Sequence, residues 1–113
     1  MSSDVVATLT FAADHPALAG HFPGNPVLPG VVLLDQALAT IERARGLPLR
    51  TWRLASVKFL QPVKPPATLA VRYRVSERDG ATAIDFAIED LSNPESGIRI
   101  VASGRIDGLD PGR

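Results

Sequence analysis

One stretch of this chain, "GVVLLDQALATIERAR" from Gly30 to Arg45, runs on without a helix breaker after its first residue. Within it Val31, Leu34, Leu38 and Ile41 recur at helical spacing. Gly46 can take the C-terminal cap, and Pro48 blocks any continuation. Arg43 and Arg45 fall in the last turn, where cations suit the negative end of the helix dipole. A single apolar helix cannot cover itself, so the rest of the chain must supply the layer that buries it.

That layer is legible as strands. Val5, Ala7, Leu9 and Phe11 alternate with Val6, Thr8 and Thr10 ahead of the helix. Behind it, residues 51 to 60 form one strand, ending at Pro62. Leu69, Val71, Tyr73 and Val75 alternate with Ala70, Arg72, Arg74 and Ser76 in the next. Ile84, Phe86 and Ile88 alternate with Ala83, Asp85, Ala87 and Glu89 in the one after, and Ile98 to Ile106 forms the last. "RDGA" at 78 to 81 is a hairpin turn, because Asp-Gly tolerates the positive φ that tight hairpins demand. Short turns make consecutive strands antiparallel. The expected architecture is α+β: a curved antiparallel β-sheet wrapped around one long central helix, as a single domain over residues 1–113 with a frayed tail over 107–113. Such a sheet covers only part of the helix, and a homodimer would bury the rest.

Several function classes drop out on composition. The 12 basic residues balance the 12 acidic ones, so the basic excess of a nucleic-acid binder is missing. With no cysteine, disulfides, thiolate metal sites and a cysteine nucleophile are excluded. The start "MSSDVVATLTFAADHP" lacks a basic region and carries Asp4, unlike a signal peptide, and no apolar run reaches the roughly 20 residues of a membrane span. The expectation is a soluble cytoplasmic protein.

Two residues stand out chemically. Asp35 has Val31, Val32, Leu38 and Ala39 at i±3 and i±4, an apolar wall in which burial would favour the protonated acid that a general acid must be. The alternative is a solvent-facing helix residue beside Gln36, Thr40 and Arg43. His21 is framed by Gly20, Pro23, Gly24, Pro26, Pro29 and Gly30, a loop with few free torsions that would hold a base in place at little entropic cost. The alternative there is a proline-rich turn that happens to contain a histidine. His15, in "DHPA", lacks such a frame and reads as a turn residue, and two histidines without a matching carboxylate pattern make a poor metal site. Between His21 and Asp35 the helix begins at "PGVV", whose amides and positive dipole end suit an oxyanion. Base, oxyanion site and acid within 15 residues suit abstraction of a proton next to a carbonyl followed by loss of a hydroxyl.

"GHFPGNPVLPGVVLLD" closely resembles the active-site segment of the FabA/FabZ-type 3-hydroxyacyl-[acyl-carrier-protein] dehydratases, and "ASVKFLQPVKPP" is similar to the strand and turn that follow the helix in that family. The resemblance runs from about residue 5 to residue 106. It implies the hotdog fold and dehydration of a 3-hydroxyacyl thioester on acyl carrier protein, in fatty-acid or aryl-polyene-like biosynthesis, with no cofactor and no metal. His21 would take the α-proton and Asp35 would bind the β-hydroxyl and help it leave as water. The N–H groups of Gly30 and Val31 would stabilise the enolate-like thioester oxygen, and the backbone carbonyl of Val27 would orient the His21 ring. The histidine and acid of one site would come from different subunits of a dimer, which in turn can assemble further. The acid is Asp, as in FabA-type members, where FabZ-type members carry Glu, and Ala39 stands where FabZ-type enzymes often have Gln. The wording "DHPALAGHFPGNPVLPGVVLLD" is most similar to the ApeI-like dehydratases.

Other readings remain open at this level: a hotdog thioesterase, a CoA-linked enoyl hydratase, or a non-catalytic hotdog subunit of a dehydratase complex. The presence of both His21 and Asp35 argues against the last. Arg43, Arg45, Arg50, Arg53, Lys58 and Lys64 offer an acidic carrier protein a docking cluster, or else form an ordinary solvated face.

Overall fold

The computed structural model describes residues 5–11, 28–46, 49, 52–64, 66–78, 80–93, 95 and 97–108. In chain order these make β1 (Val5–Phe11), α1 (Gly30–Arg45), β2 (Arg53–Phe59), β3 (Ala67–Arg78), β4 (Ala81–Asp90) and β5 (Arg99–Asp107). The five strands form one antiparallel sheet in the order β1-β3-β4-β5-β2 with the single helix against it, the hotdog arrangement. Arg78 pairs with Ala81, so the β3–β4 connection is a tight hairpin, and Gly80 at φ 80 supplies the left-handed backbone it needs.

Consecutive strands are not neighbours throughout. β2 pairs with β5 and not with β3, which places it at the edge of the sheet. The reason lies in the "QPVKPP" connection. Its three prolines lack amide donors, so it cannot fold back as a tight hairpin. The chain instead continues along β5, with the Leu60 and Gln61 amides both donating to the Val101 carbonyl at 2.8 and 3.3 Å. It then crosses to start β3.

The helix ends as its sequence requires, with the Gly46 amide donating to the Glu42 carbonyl at 2.7 Å. Leu33, Ala37, Thr40 and Ile41 are its buried residues, and Leu33, Ala37 and Ile41 pack in one core with Leu69, Val71, Tyr73, Ile84, Phe86 and Ile88 of the sheet. Each large aliphatic side chain buried this way contributes about 1.5–3 kcal/mol. This interior is filled by side chains from both layers. The helix lies closest to β1 and β3. The other end of the sheet is therefore thinly covered: every residue of β2 except Val57 is exposed. Val31, on the open side of the helix, is 71% exposed. As expected from the pattern, one sheet does not cover this helix.

Candidate active site

Pro29 precedes the helix with extended torsions, φ −60 and ψ 140, and offers no side-chain cap. Its carbonyl accepts the first helical bonds, from the amides of Val32 at 3.0 Å and Leu33 at 3.2 Å. The amides of Gly30 and Val31 come before these and have no carbonyl within the helix to bond. No acidic side chain stands in the first turn to neutralise the positive dipole end. The approach to this point is pinned by the Leu28 amide, which donates to the Val63 carbonyl at 2.8 Å. Helix start and "QPVKPP" segment are thereby locked together.

Phe59, the last residue of β2, sits on that start. A Cβ at Gly30 would fall 2.9 Å from Phe59 Cε1 and 3.0 Å from Cδ1, closer than side-chain carbons approach. Glycine at the first helical position is explained by this contact, since nothing in the helix itself asks for it. The same ring is 48% exposed on its other side.

Asp35 stands one to two turns on, about 7 Å along the axis from Gly30. Its place corrects the expectation of a buried acid. Asp35 is exposed, Val31 is exposed beside it, and Val32, Leu38 and Ala39 are only half-buried. The apolar wall exists, but in one chain it faces outward. The polar face sketched from the sequence is corrected too: Thr40 is buried, and its hydroxyl donates to the Gln36 carbonyl at 2.7 Å. His21, Val27 and His15 lie outside the described residues.

Of the six cations of the suggested docking cluster, the five described ones are spread over the helix, β2 and the segment after it. Arg43 and Arg45 are exposed at the C-terminal end of the helix, whereas Lys64 adjoins Val63 at the N-terminal end. Arg53 is held by Asp107 at 3.1 Å, Lys58 is exposed on β2, and Arg50 lies outside the described residues. The Arg53 hydrogen bond holds the Asp107 carboxyl below the usual carboxylate range, with burial opposing it and Arg105 assisting.

The sequence reading missed two buried carboxylates. Glu89 accepts from Arg72 Nε at 3.3 Å, and Asp90 accepts from Arg99 at 2.6 Å and from the Ser92 amide at 2.9 Å. Burial pushes the Asp90 carboxyl up, but the Ser92 and Arg99 bonds outweigh it and leave Asp90 below its ordinary value. A signal was present: Asp90 continues the parity of Ile84, Phe86 and Ile88, so the alternation places a charge on the core face. These groups brace the sheet, and Arg99 also donates to the Gln61 side-chain oxygen at 2.7 Å, in the segment that follows β2.

The sequence model of the ApeI-like family, described as ApeI dehydratase, matches residues 1–105. The chain is 28% identical over 89 residues to a 3-hydroxyacyl-[acyl-carrier-protein] dehydratase FabZ of Syntrophobacter fumaroxidans, covering 72% of this chain and 60% of that one. It is 30% identical over 98 residues to the FabZ of Latilactobacillus sakei, covering 80% of this chain and 70% of that one. Its fold matches the dehydratase heterocomplex ApeI:P from Xenorhabdus doucetiae with a TM-score of 0.64, at 22% identity over 94% of this chain and 88% of that one. The chain thus spans about 60–70% of the length of these two curated relatives. Among the described residues no helix is long and apolar enough to cross a membrane.

Proposed function

The chain belongs to the ApeI-like dehydratase family, and from that membership we propose that it removes water from a 3-hydroxyacyl thioester carried on acyl carrier protein, giving the trans-2-enoyl thioester. The observation that carries the reading is the family match across residues 1–105, which takes in "GHFPGNPVLPGVVLLD" whole.

In this reaction His21 takes the α-proton. The electron pair left on the α-carbon forms the new double bond as the β-carbon–oxygen bond breaks, and Asp35 delivers a proton to the departing hydroxyl, which leaves as water. Negative charge gathers meanwhile on the thioester oxygen, and the amides of Gly30 and Val31 receive it. The Val27 carbonyl orients the His21 ring. The bonds of the helix start support the third role, because Val32 and Leu33 take the Pro29 carbonyl and leave the two earlier amides without a helical acceptor.

The working unit is a homodimer with two sites at its interface, His21 of one subunit facing Asp35 of the other. Three features of the single chain favour this. Asp35 and its apolar neighbour Val31 stand in solvent. The β2 side chains Leu54 and Phe59 are 40% and 48% exposed, although the Phe59 ring touches the helix start. β2 itself is an edge strand, whose open backbone groups invite pairing. A second copy that covers this surface also desolvates Asp35, which the proposed acid role needs.

Mass spectrometry of the purified protein, incubated with 3-hydroxyacyl carrier protein and separately with 3-hydroxyacyl-CoA, tests the reading. Loss of water from the carrier-bound substrate is expected. Release of the free acid, or an unchanged substrate, would replace dehydration with thioester hydrolysis or with a non-catalytic role.

A further inference from the structure

The contact between Phe59 and Gly30 has no counterpart in the roles assigned above. Phe59 ends an edge strand, and its ring is 48% exposed, so it contributes little to the core that the helix and sheet share. The ring instead fills the space beside Gly30 that a Cβ would take. Gly30 is one of the two residues whose amides precede the first helical bond. The ring therefore lies against the residue that carries one of the donors the developing oxyanion is to meet. We propose that Phe59 is a positioning residue for the reaction: its ring fixes the backbone of Gly30 and keeps water off the amide pair, so that the N–H groups meet the thioester oxygen in the geometry of the transition state.

This rests on the dehydratase reading above and deepens it. Two physical effects make the ring matter. An oxyanion donor acts most strongly where water is excluded, and an apolar face is the simplest means of exclusion. Position counts as well, since a misplacement of about 1 Å can cost about 10²-fold in rate. Glycine at position 30 is then a consequence: any side chain there must displace the ring or shift the helix start. Either movement would undo the same arrangement, which gives the proposal its test.

Four variants of the full chain, F59L, F59Y, G30A and the double G30A/F59L, would be assayed on carrier-bound 3-hydroxyacyl substrate, with thermal melts alongside. F59L should lower kcat about tenfold or more while KM changes less than about threefold, because the lost interaction belongs to the transition state. F59Y keeps the ring and should retain near wild-type kcat. G30A should lower kcat in the same way, and the double variant should be no slower than the slower single one, because both changes remove one arrangement. If F59L fails to fold, G30A and F59Y carry the comparison. The proposal is overturned if F59L or a folded G30A keeps kcat within about twofold of wild type, if the two losses multiply, or if KM alone rises. A wild-type protein that dehydrates none of the thioesters would instead bring down the dehydratase reading, and this inference with it.

Discussion

At the scale of single residues the proposed chemistry needs a base, an acid and two donors, and these differ in how much the sequence discloses. His21 stands in "GHFPGNP", where the glycines and prolines give the loop its shape and the imidazole is dispensable to it. His21→Ala should therefore fold normally by circular dichroism and lose about 10²–10⁴-fold in kcat, the usual contribution of general-base catalysis. Near-normal turnover in a steady-state dehydration assay would remove His21 from the mechanism. The identity of Asp35 was legible for the same reason, a carboxylate set among Val31, Val32, Leu38 and Ala39. Its exposure was not, because i±3 and i±4 neighbours describe only the helix surface. Whether that surface is wet depends on what else packs there. Phe59 was less legible still. Nothing local links it to Gly30, and only the strand order, which carries β2 past the helix start, brings the two together.

Among the elements, strand identities were readable because period-two alternation is a local property, and the DG hairpin and the Gly46 cap followed from turn chemistry. The order of strands was not local. β2 went to the edge because the prolines after it forbid a hairpin, and no periodicity reports that. The ends of β4 and β5 show a further limit: register alone sets Arg99 beside Asp90 and Arg72 beside Glu89. Asp90 provides a pH test at this scale. Its folded value lies below the ordinary 3.8, although burial alone would raise it, because Ser92 and Arg99 hold the charged form. A carboxyl depressed in the folded state contributes stability that is complete above the unfolded value and is lost as pH falls through the folded one. Asp90→Asn should therefore cost about 1–3 kcal/mol at neutral pH. The gap to wild type, followed by denaturant melts, should narrow once the pH drops below 3.8. A gap that stays constant down to about pH 2 would mean that packing, not charge, holds this corner.

For the whole molecule the decisive feature is what one chain leaves bare. Val31 and Asp35 of the helix and Leu54 and Phe59 of the edge strand β2 are all exposed surface. A lone chain would keep this surface in water, whereas a two-fold dimer covers it twice and builds two equivalent sites. If His21 of one subunit works with Asp35 of the other, the arrangement has a numerical consequence. In a His21→Ala homodimer both sites lack the base, and in an Asp35→Asn homodimer both lack the acid, so each should be nearly inactive. A mixed dimer concentrates both lesions in one site, since each subunit contributes its histidine to one site and its aspartate to the other. The second site is then built from the intact Asp35 of the first mutant and the intact His21 of the second. Co-expression with two affinity tags and tandem purification would isolate the mixed species. It should recover up to about half of the wild-type rate per dimer, by this count of sites. Subunit exchange during the assay would erode the recovery over time, so the initial rate is the quantity to compare. Where base and acid act within one chain, every site of the mixed dimer carries a lesion, and its rate would stay at the level of its parents.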